Sequence, residues 1–323
     1  MTTTPKLVVR KAQRQACKAC IMLEGLPGAG KSGVALSIAA GLTDNDWNSI
    51  WAEDTENKSL DLFVGLNNID GNKIGQFNVI ELDAVTGFSP STFLYGQQMA
   101  IDAGAKVLIK DSISHAWQYD KGILDLLTGA KERTWNKNDS YAAWGDPVII
   151  AEKLNLLRML RSQHLHIITT VRIKEKLDYE EVDGKKKLVS LGEQQIMQGD
   201  IKYEPDLVLR ISEPAQTTAG NMKYAKAKVM KTRYAICTLG EEVEISPKFI
   251  SDLKRYLDEG IDPDVINEET RLEYIKAVQT YITEHPTSKT MWAMLKADAG
   301  YKDTLLTDMP LNAIKETYIK LIN

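Results

Sequence analysis

Residues Gly25-Leu26-Pro27-Gly28-Ala29-Gly30-Lys31-Ser32 have the form G-x-x-x-x-G-K-S, and each type in that pattern has chemistry to do. Gly25, Gly28 and Gly30 open backbone angles closed to residues with a β-carbon. Successive N–H groups can then turn inward as a cradle for phosphate oxygens. Lys31 is placed to reach the β- and γ-phosphates of a nucleotide, and the Ser32 hydroxyl to ligand Mg²⁺. Leu26, Pro27 and Ala29 complete the loop, and Gly33 follows it into a helix. The alternative is a Gly-rich turn ahead of a helix with no ligand.

A phosphate loop of this kind needs a second carboxylate to hold the metal, and Asp111 at the end of Val107-Leu108-Ile109-Lys110 supplies one. The alternative for Asp111 is a turn or helix-capping residue. Hydrolysis needs a base to orient water. Glu53, Asp54 and Glu56 close an apolar run at 49–53, and Glu56 is the candidate; their alternative is to favour the N terminus of a following helix.

These residues need elements to carry them. Apolar runs at 20–24, 49–53, 77–82, 106–111 and 164–170 alternate with helical stretches at 31–41, 57–66, 91–104 and 147–162. That alternation predicts a mostly parallel sheet covered by helices on both faces. Pro90 and Asp146-Pro147 read as helix starts. Residues 171–205 are polar around Asp183-Gly184 and predict a projecting hairpin or loop. Strands at 206–212, 223–231 and 234–238 are expected antiparallel at one edge, with a helix at 247–258. Asp262-Pro263 marks a break before helices at 267–284, 288–298 and 310–321. The expected division is a nucleotide-binding domain at 1–258 and a small acidic helical domain at 259–323.

Bulk composition narrows the function classes. The chain has 323 residues, a formal net charge of −4 and three cysteines, Cys17, Cys20 and Cys237. This excludes a generally cationic nucleic-acid binder and a disulfide scaffold, and points to a reducing cytoplasm. No zinc site is expected from Cys17-x-x-Cys20. No apolar run approaches the ~20 residues that cross a bilayer, and Met1 to Arg10 lacks a signal-peptide core, so no membrane partner is expected. Trp117, Tyr119, Trp135, Tyr141 and Trp144 either stack on bases or pin a long loop.

The phosphate loop, Asp54-Thr55-Glu56 after the second strand and Asp111-Ser112 after the fourth resemble RecA-type recombinase ATPases. More closely, Val9 to Arg233 is similar to phage-encoded RecA-like ATPases described as AAA-type or recombination proteins. The resemblance runs through Val79-Ile80-Glu81-Leu82-Asp83, Ser89-Pro90, Asp111-Ser112-Ile113-Ser114-His115, Ile167-Ile168-Thr169-Thr170-Val171-Arg172 and Lys231-Thr232-Arg233. It implies a RecA-like P-loop core with ATP and Mg²⁺ as cofactors and Glu56 as the catalytic carboxylate. It also implies Thr170 where the recombinases place a γ-phosphate-sensing Gln, and a homo-oligomer in which Lys231 and Arg233 reach the neighbour's ATP. A solvated basic edge is the other reading of those two cations. The family places its DNA-binding loops after this strand, making Arg172, Lys174, Lys185, Lys186 and Lys187 candidates for single-stranded DNA. Eight carboxylates in 171–205 leave a solvated hairpin as the other reading. Residues 252–323 hold 9 Lys/Arg against 13 Asp/Glu, a poor match to DNA. They favour a phage or host replication or recombination protein as partner, and a protein-directed motor or loader as the alternative function.

Overall fold

The computed structural model describes residues 11–133, 140–182, 185–197, 199–218 and 221–322. Met1 to Arg10, Trp135, the Asp183-Gly184 turn and Gln198 lie outside them. Two compact units form, 18–257 and a second from 11–17 with 258–322.

In the first unit the chain runs β1 (Cys20–Gly25), α1 (Lys31–Leu42), β2 (Ile50–Asp54), β3 (Asn78–Glu81), α2 (Pro90–Asp102) and β4 (Val107–Asp111). The short helices α3 (His115–Gln118), α4 (Ile123–Arg133) and α5 (Ser140–Trp144) lead to α6 (Pro147–Arg158). There follow β5 (His166–Val182), β6 (Lys185–Gln195), β7 (Leu207–Glu213), β8 (Gln216–Thr218), β9 (Asn221–Lys223), β10 (Lys226–Thr232), β11 (Glu242–Glu244) and α7 (Pro247–Asp258).

The result is a mixed α/β fold with a mostly parallel nine-stranded sheet in the order β3-β2-β4-β5-β1-β7-β10-β11, with β6 paired to β5. The strands from β3 to β7 are parallel. Their carboxyl ends therefore share one edge, where ligands of open α/β sheets bind. Alternation along β1 sends Ile21 and Leu23 to one face, where α1 and α7 cover them through Val34, Ile38, Ile250 and Leu253. Cys20 and Met22 face the other side with Phe93, Leu156 and Met159 of α2 and the α6 end. Each fully buried aliphatic side chain contributes about 1.5–3 kcal/mol. The helix starts are capped as Pro90 and Pro147 suggest: Ser89 Oγ accepts the Thr92 N–H, and the Asp146 carboxylate accepts the Val148 N–H.

Strand β5 has two halves. Ile167 to Arg172 pair with β1, and His166 to Thr169 with β4. Ile173 to Val182 pair only with β6, antiparallel. The two halves are one continuous strand of 17 residues.

Four expectations are corrected. Residues 57–66 form no α-helix but a 3-10 turn at Leu60–Phe63. Asn57 and Lys58 sit at φ 54° and 65°, a left-handed start that no α-helix continues. Residues 234–238 form a turn, and the edge strand is β11, because the Val229 N–H and C=O pair with Glu241 and Gly240. The antiparallel edge holds between β7, β10 and β11, but β7 itself is parallel to β1, since β5 to β6 to β7 reverses direction twice. The aromatic-rich segment is largely helical, with Trp117 and Trp144 stacked at 6.2 Å.

In the second unit α8 (Pro263–Glu284), α9 (Ser288–Asp298) and α10 (Leu311–Ile322) pack around Ile275, Val278, Trp292, Ile314 and Tyr318. The Ala16 N–H reaches the Ile261 carbonyl at 3.0 Å. No helix among the described residues is long and apolar enough to cross a membrane.

At the start of β5, neutral His166 accepts the Ala19 N–H on Nδ1 at 2.9 Å. Burial, with Lys18 and Lys254 adding to it, pushes its pKa down to about 3. A proton on Nδ1 would face that N–H donor-to-donor. The unfolded chain, near pKa 6.5, therefore binds a proton that the native chain refuses, and stability is complete above 6.5 and lost toward 3. The expected slope from this group is at most ~1.4 kcal/mol per pH unit. In urea unfolding at stepped pH, His166→Asn, which keeps an acceptor but cannot titrate, should flatten the curve in that window. An unchanged curve would show that His166 does not titrate in this way.

Candidate functional site

The site is assembled at the carboxyl edge of the sheet. Leaving β1, Gly28 and Gly30 take φ +78° and +82°, left-handed angles that glycine adopts without strain. Gly25 is held by a close approach: a β-carbon there would lie 2.9 Å from the Ala29 β-carbon. Helix α1 starts immediately afterwards with no side-chain cap and no acidic residue in its first turn. Its leading N–H groups and positive dipole end are left for an anion. Lys31 Nζ folds back to donate to the Gly25 and Leu26 carbonyls, each at 3.1 Å. Burial lowers its pKa, against the pull of the Asp111 and Glu56 carboxylates. Phe63, from the 3-10 turn, lies where a Gly33 β-carbon would be 3.2 Å away.

Asp111 is 1% exposed and ties three elements together. Its Oδ2 accepts from Ser32 Oγ at 2.5 Å, and its Oδ1 from Thr170 Oγ1. The Thr55 N–H and hydroxyl both donate to its carbonyl. Burial pushes the Asp111 carboxyl up, and the two hydroxyl donors oppose that. A hydroxyl and a carboxylate in contact at the head of a phosphate loop are the hard oxygen donors that Mg²⁺ takes together with phosphate and water. Ser32 and Asp111 fit the metal on that ground.

The second strand supplies the other carboxylates. Asp54 Oδ1 accepts the Glu56 N–H at 2.6 Å and Oδ2 the Leu60 N–H at 3.3 Å. Asp54 thus shapes the turn that presents Glu56. Glu56 Oε1 accepts from Arg172 Nη2 at 2.7 Å and Nε at 3.1 Å, and Arg172 Nη1 donates to the Tyr119 hydroxyl at 3.0 Å. Behind them Thr55 Oγ1 lies 2.6 Å from His115 Nδ1. Burial lowers the His115 pKa.

The structure thus brings together Gly25 to Gly33, Asp111, Thr170, Glu56 and Arg172. It does not bring Lys231 and Arg233 to them. Both stand near the start of the parallel strands, where Lys231 Nζ donates to the Tyr203 carbonyl at 2.5 Å and Arg233 Nη1 to Asp206 at 2.6 Å. Lys174 is exposed, in register with Gln194. In β6, Lys185, Lys186 and Lys187 stand in register with Val182, Glu181 and Glu180.

Two buried pairs were missed by sequence reasoning. Lys110 Nζ sits 2.6 Å from Glu53 Oε2 with neither side chain exposed. Burial pushes Glu53 up to about 7 against the pull of Lys110. The signal was available: a Lys closing the apolar run Val107-Leu108-Ile109 must be buried and paired. Glu24, the residue before Gly25, pairs with Arg210 at 2.7 Å and accepts from Gln195 of β6. Nothing in the local sequence connects those three.

A family model described as an AAA domain matches residues 17–238. No curated protein matches the chain.

Because Thr170 Oγ1 satisfies one oxygen of a buried carboxylate, Thr170→Val should cost about 1–3 kcal/mol in urea unfolding. Thr170→Ser, which keeps the donor, should cost less than half as much. Equal losses would show that packing rather than the hydrogen bond is at stake.

Proposed function

The chain belongs to the AAA domain family, and from that premise we propose that it is a Mg²⁺-dependent ATPase of the RecA-like class that works as a homo-oligomer. The observation that carries this is the contact of Ser32 Oγ with Asp111 Oδ2 at 2.5 Å beside an uncapped α1 N terminus, with Glu56 presented from the adjoining turn. The backbone of Gly25 to Gly33 holds the phosphates. Lys31 leaves its two loop carbonyls for the β- and γ-phosphates. Ser32 and Asp111 hold the metal, which when bound neutralises charge on the phosphate oxygens. Glu56 orients the attacking water and accepts its proton. Thr170 holds Asp111 in place from the strand end.

The target in this reading is single-stranded DNA during phage recombination or repair, contacted through the β5–β6 hairpin by Lys174, Lys185, Lys186 and Lys187. Lys231 and Arg233 act across the oligomer interface once released from Asp206 and the Tyr203 carbonyl. Two observations favour a second reading, a motor or loader directed at a protein partner in phage replication. The hairpin sets Glu180 and Glu181 opposite Lys187 and Lys186 in register, and residues 259–323 are acidic. Under that reading residues 259–323 carry the partner contact.

Lys31→Ala should reduce ATP turnover by at least ~10²-fold, the scale of losing one preorganised charge-stabilising donor. Normal turnover by that variant would reject the site. Wild-type hydrolysis measured with and without single-stranded DNA at two salt concentrations separates the two targets. Stimulation that fades as salt rises indicates phosphate contacts, whereas hydrolysis indifferent to DNA indicates a protein partner.

A further inference from the structure

We propose that Arg172 is a catalytic residue, the cation this chain supplies to its own nucleotide's γ-phosphoryl group, and that its bond to Glu56 is the resting arrangement which triphosphate binding exchanges for that contact. The inference rests on the ATPase reading and adds a residue to it.

Position comes first. Arg172 is in register with Gly25, the first residue of the phosphate loop, and lies two residues beyond Thr170, which touches Asp111. Its backbone N–H is fixed by Ser114 Oγ at 3.0 Å. It therefore stands at the level of the phosphates, ahead of the part of β5 that pairs with β6. Its charge also acts on Lys31, where it adds to the lowering of that ammonium's pKa.

The resting contact is easily exchanged. Both guanidinium donors to Glu56 fall on the single oxygen Oε1, and each partner is 29% exposed. A pair that is partly open to water contributes little to stability. A phosphoryl group offers the planar guanidinium a bidentate partner of higher charge. The Tyr119 hydroxyl at 3.0 Å, with its ring 5.8 Å from the guanidinium carbon, supports the side chain from outside.

The exchange does two things at once. It brings positive charge to the group that gains negative charge in the transition state, and it frees Glu56 Oε1 to accept from water. The water oxygen bonds to the γ-phosphorus as the bond from that phosphorus to the β,γ-bridging oxygen breaks. The electron pair goes to the departing ADP. The water proton passes to Glu56 and then to the released phosphate, while Arg172 stays protonated throughout. Lys231 and Arg233 cannot fill this role within the subunit, because they are bound near the opposite ends of the strands.

The test compares wild type, Arg172→Ala and Arg172→Gln for kcat, KM and affinity for Mg·ADP with and without aluminium fluoride, which completes a mimic of the phosphoryl transition state. The expectation is a kcat loss of about 10³-fold or more, with Mg·ADP affinity retained and the tightening by aluminium fluoride abolished. Mixing Arg172→Ala with Lys31→Ala subunits should restore no activity. Wild-type turnover alongside unimpaired Arg172→Ala would overturn this assignment alone. So would equal losses of affinity with and without aluminium fluoride, or rescue in the mixture. A wild-type protein without turnover would overturn the ATPase reading, and this assignment with it.

Discussion

A buried carboxylate must be satisfied or it costs several kcal/mol, and Asp111 is satisfied only by groups from elsewhere in the chain. Ser32 belongs to the first turn of α1 and Thr170 to β5. Both must arrive at one point for the carboxylate to be tolerated, while Thr55, from the turn after β2, holds the Asp111 backbone carbonyl. The phosphate loop is thus held at its helical end by a residue more than seventy positions away in sequence.

One residue earlier, Glu53 and Lys110 lie side by side on β2 and β4, fully enclosed. Lys110 also donates to the Phe93 carbonyl at 3.3 Å, while Glu53 Oε1 has no hydrogen-bond partner among the described residues. Gly96 of α2 stands against that oxygen, where any β-carbon would overlap it. Such a pair is weak evidence of net stability, but losing one member costs about 3–5 kcal/mol. A slip of one residue between the strands would send one of the two charges to the other face and leave both unpaired. The pair therefore fixes the register in which Asp54 stands beside Asp111.

What was legible in the sequence was what is local. Glycines at fixed spacing dictate the loop, apolar runs dictate β1, β2 and β4, and Pro90 and Pro147 mark helix starts. The 3-10 turn at Leu60–Phe63 is local too but was not legible, because the Asp54 carboxylate takes the Glu56 and Leu60 N–H groups, a side-chain bond that overrides helical composition. Arg172 read as a hairpin cation because it follows a strand end. Only the sheet order, with β5 beside β1 and β4, shows that this strand end adjoins Glu56. Lys231 and Arg233 read as cations for a neighbouring subunit's nucleotide, and strand polarity puts them near the other ends of the strands from this subunit's own loop.

Strand β5 is wedged between the strand that carries the phosphate loop and the strand that carries Asp111, and it leaves the sheet without interruption to become one arm of the hairpin. Ten residues from Ile173 to Val182 continue the same line, about 30 Å at strand rise. No loop intervenes, though the pairing with β6 shifts register between Glu175 and Leu177. The arm therefore shares its strand with Thr170 and Arg172, which touch Asp111 and Glu56, while the other arm returns through Gln195 to Glu24. The hairpin and the strand neighbouring the phosphate loop are thus one unbroken element.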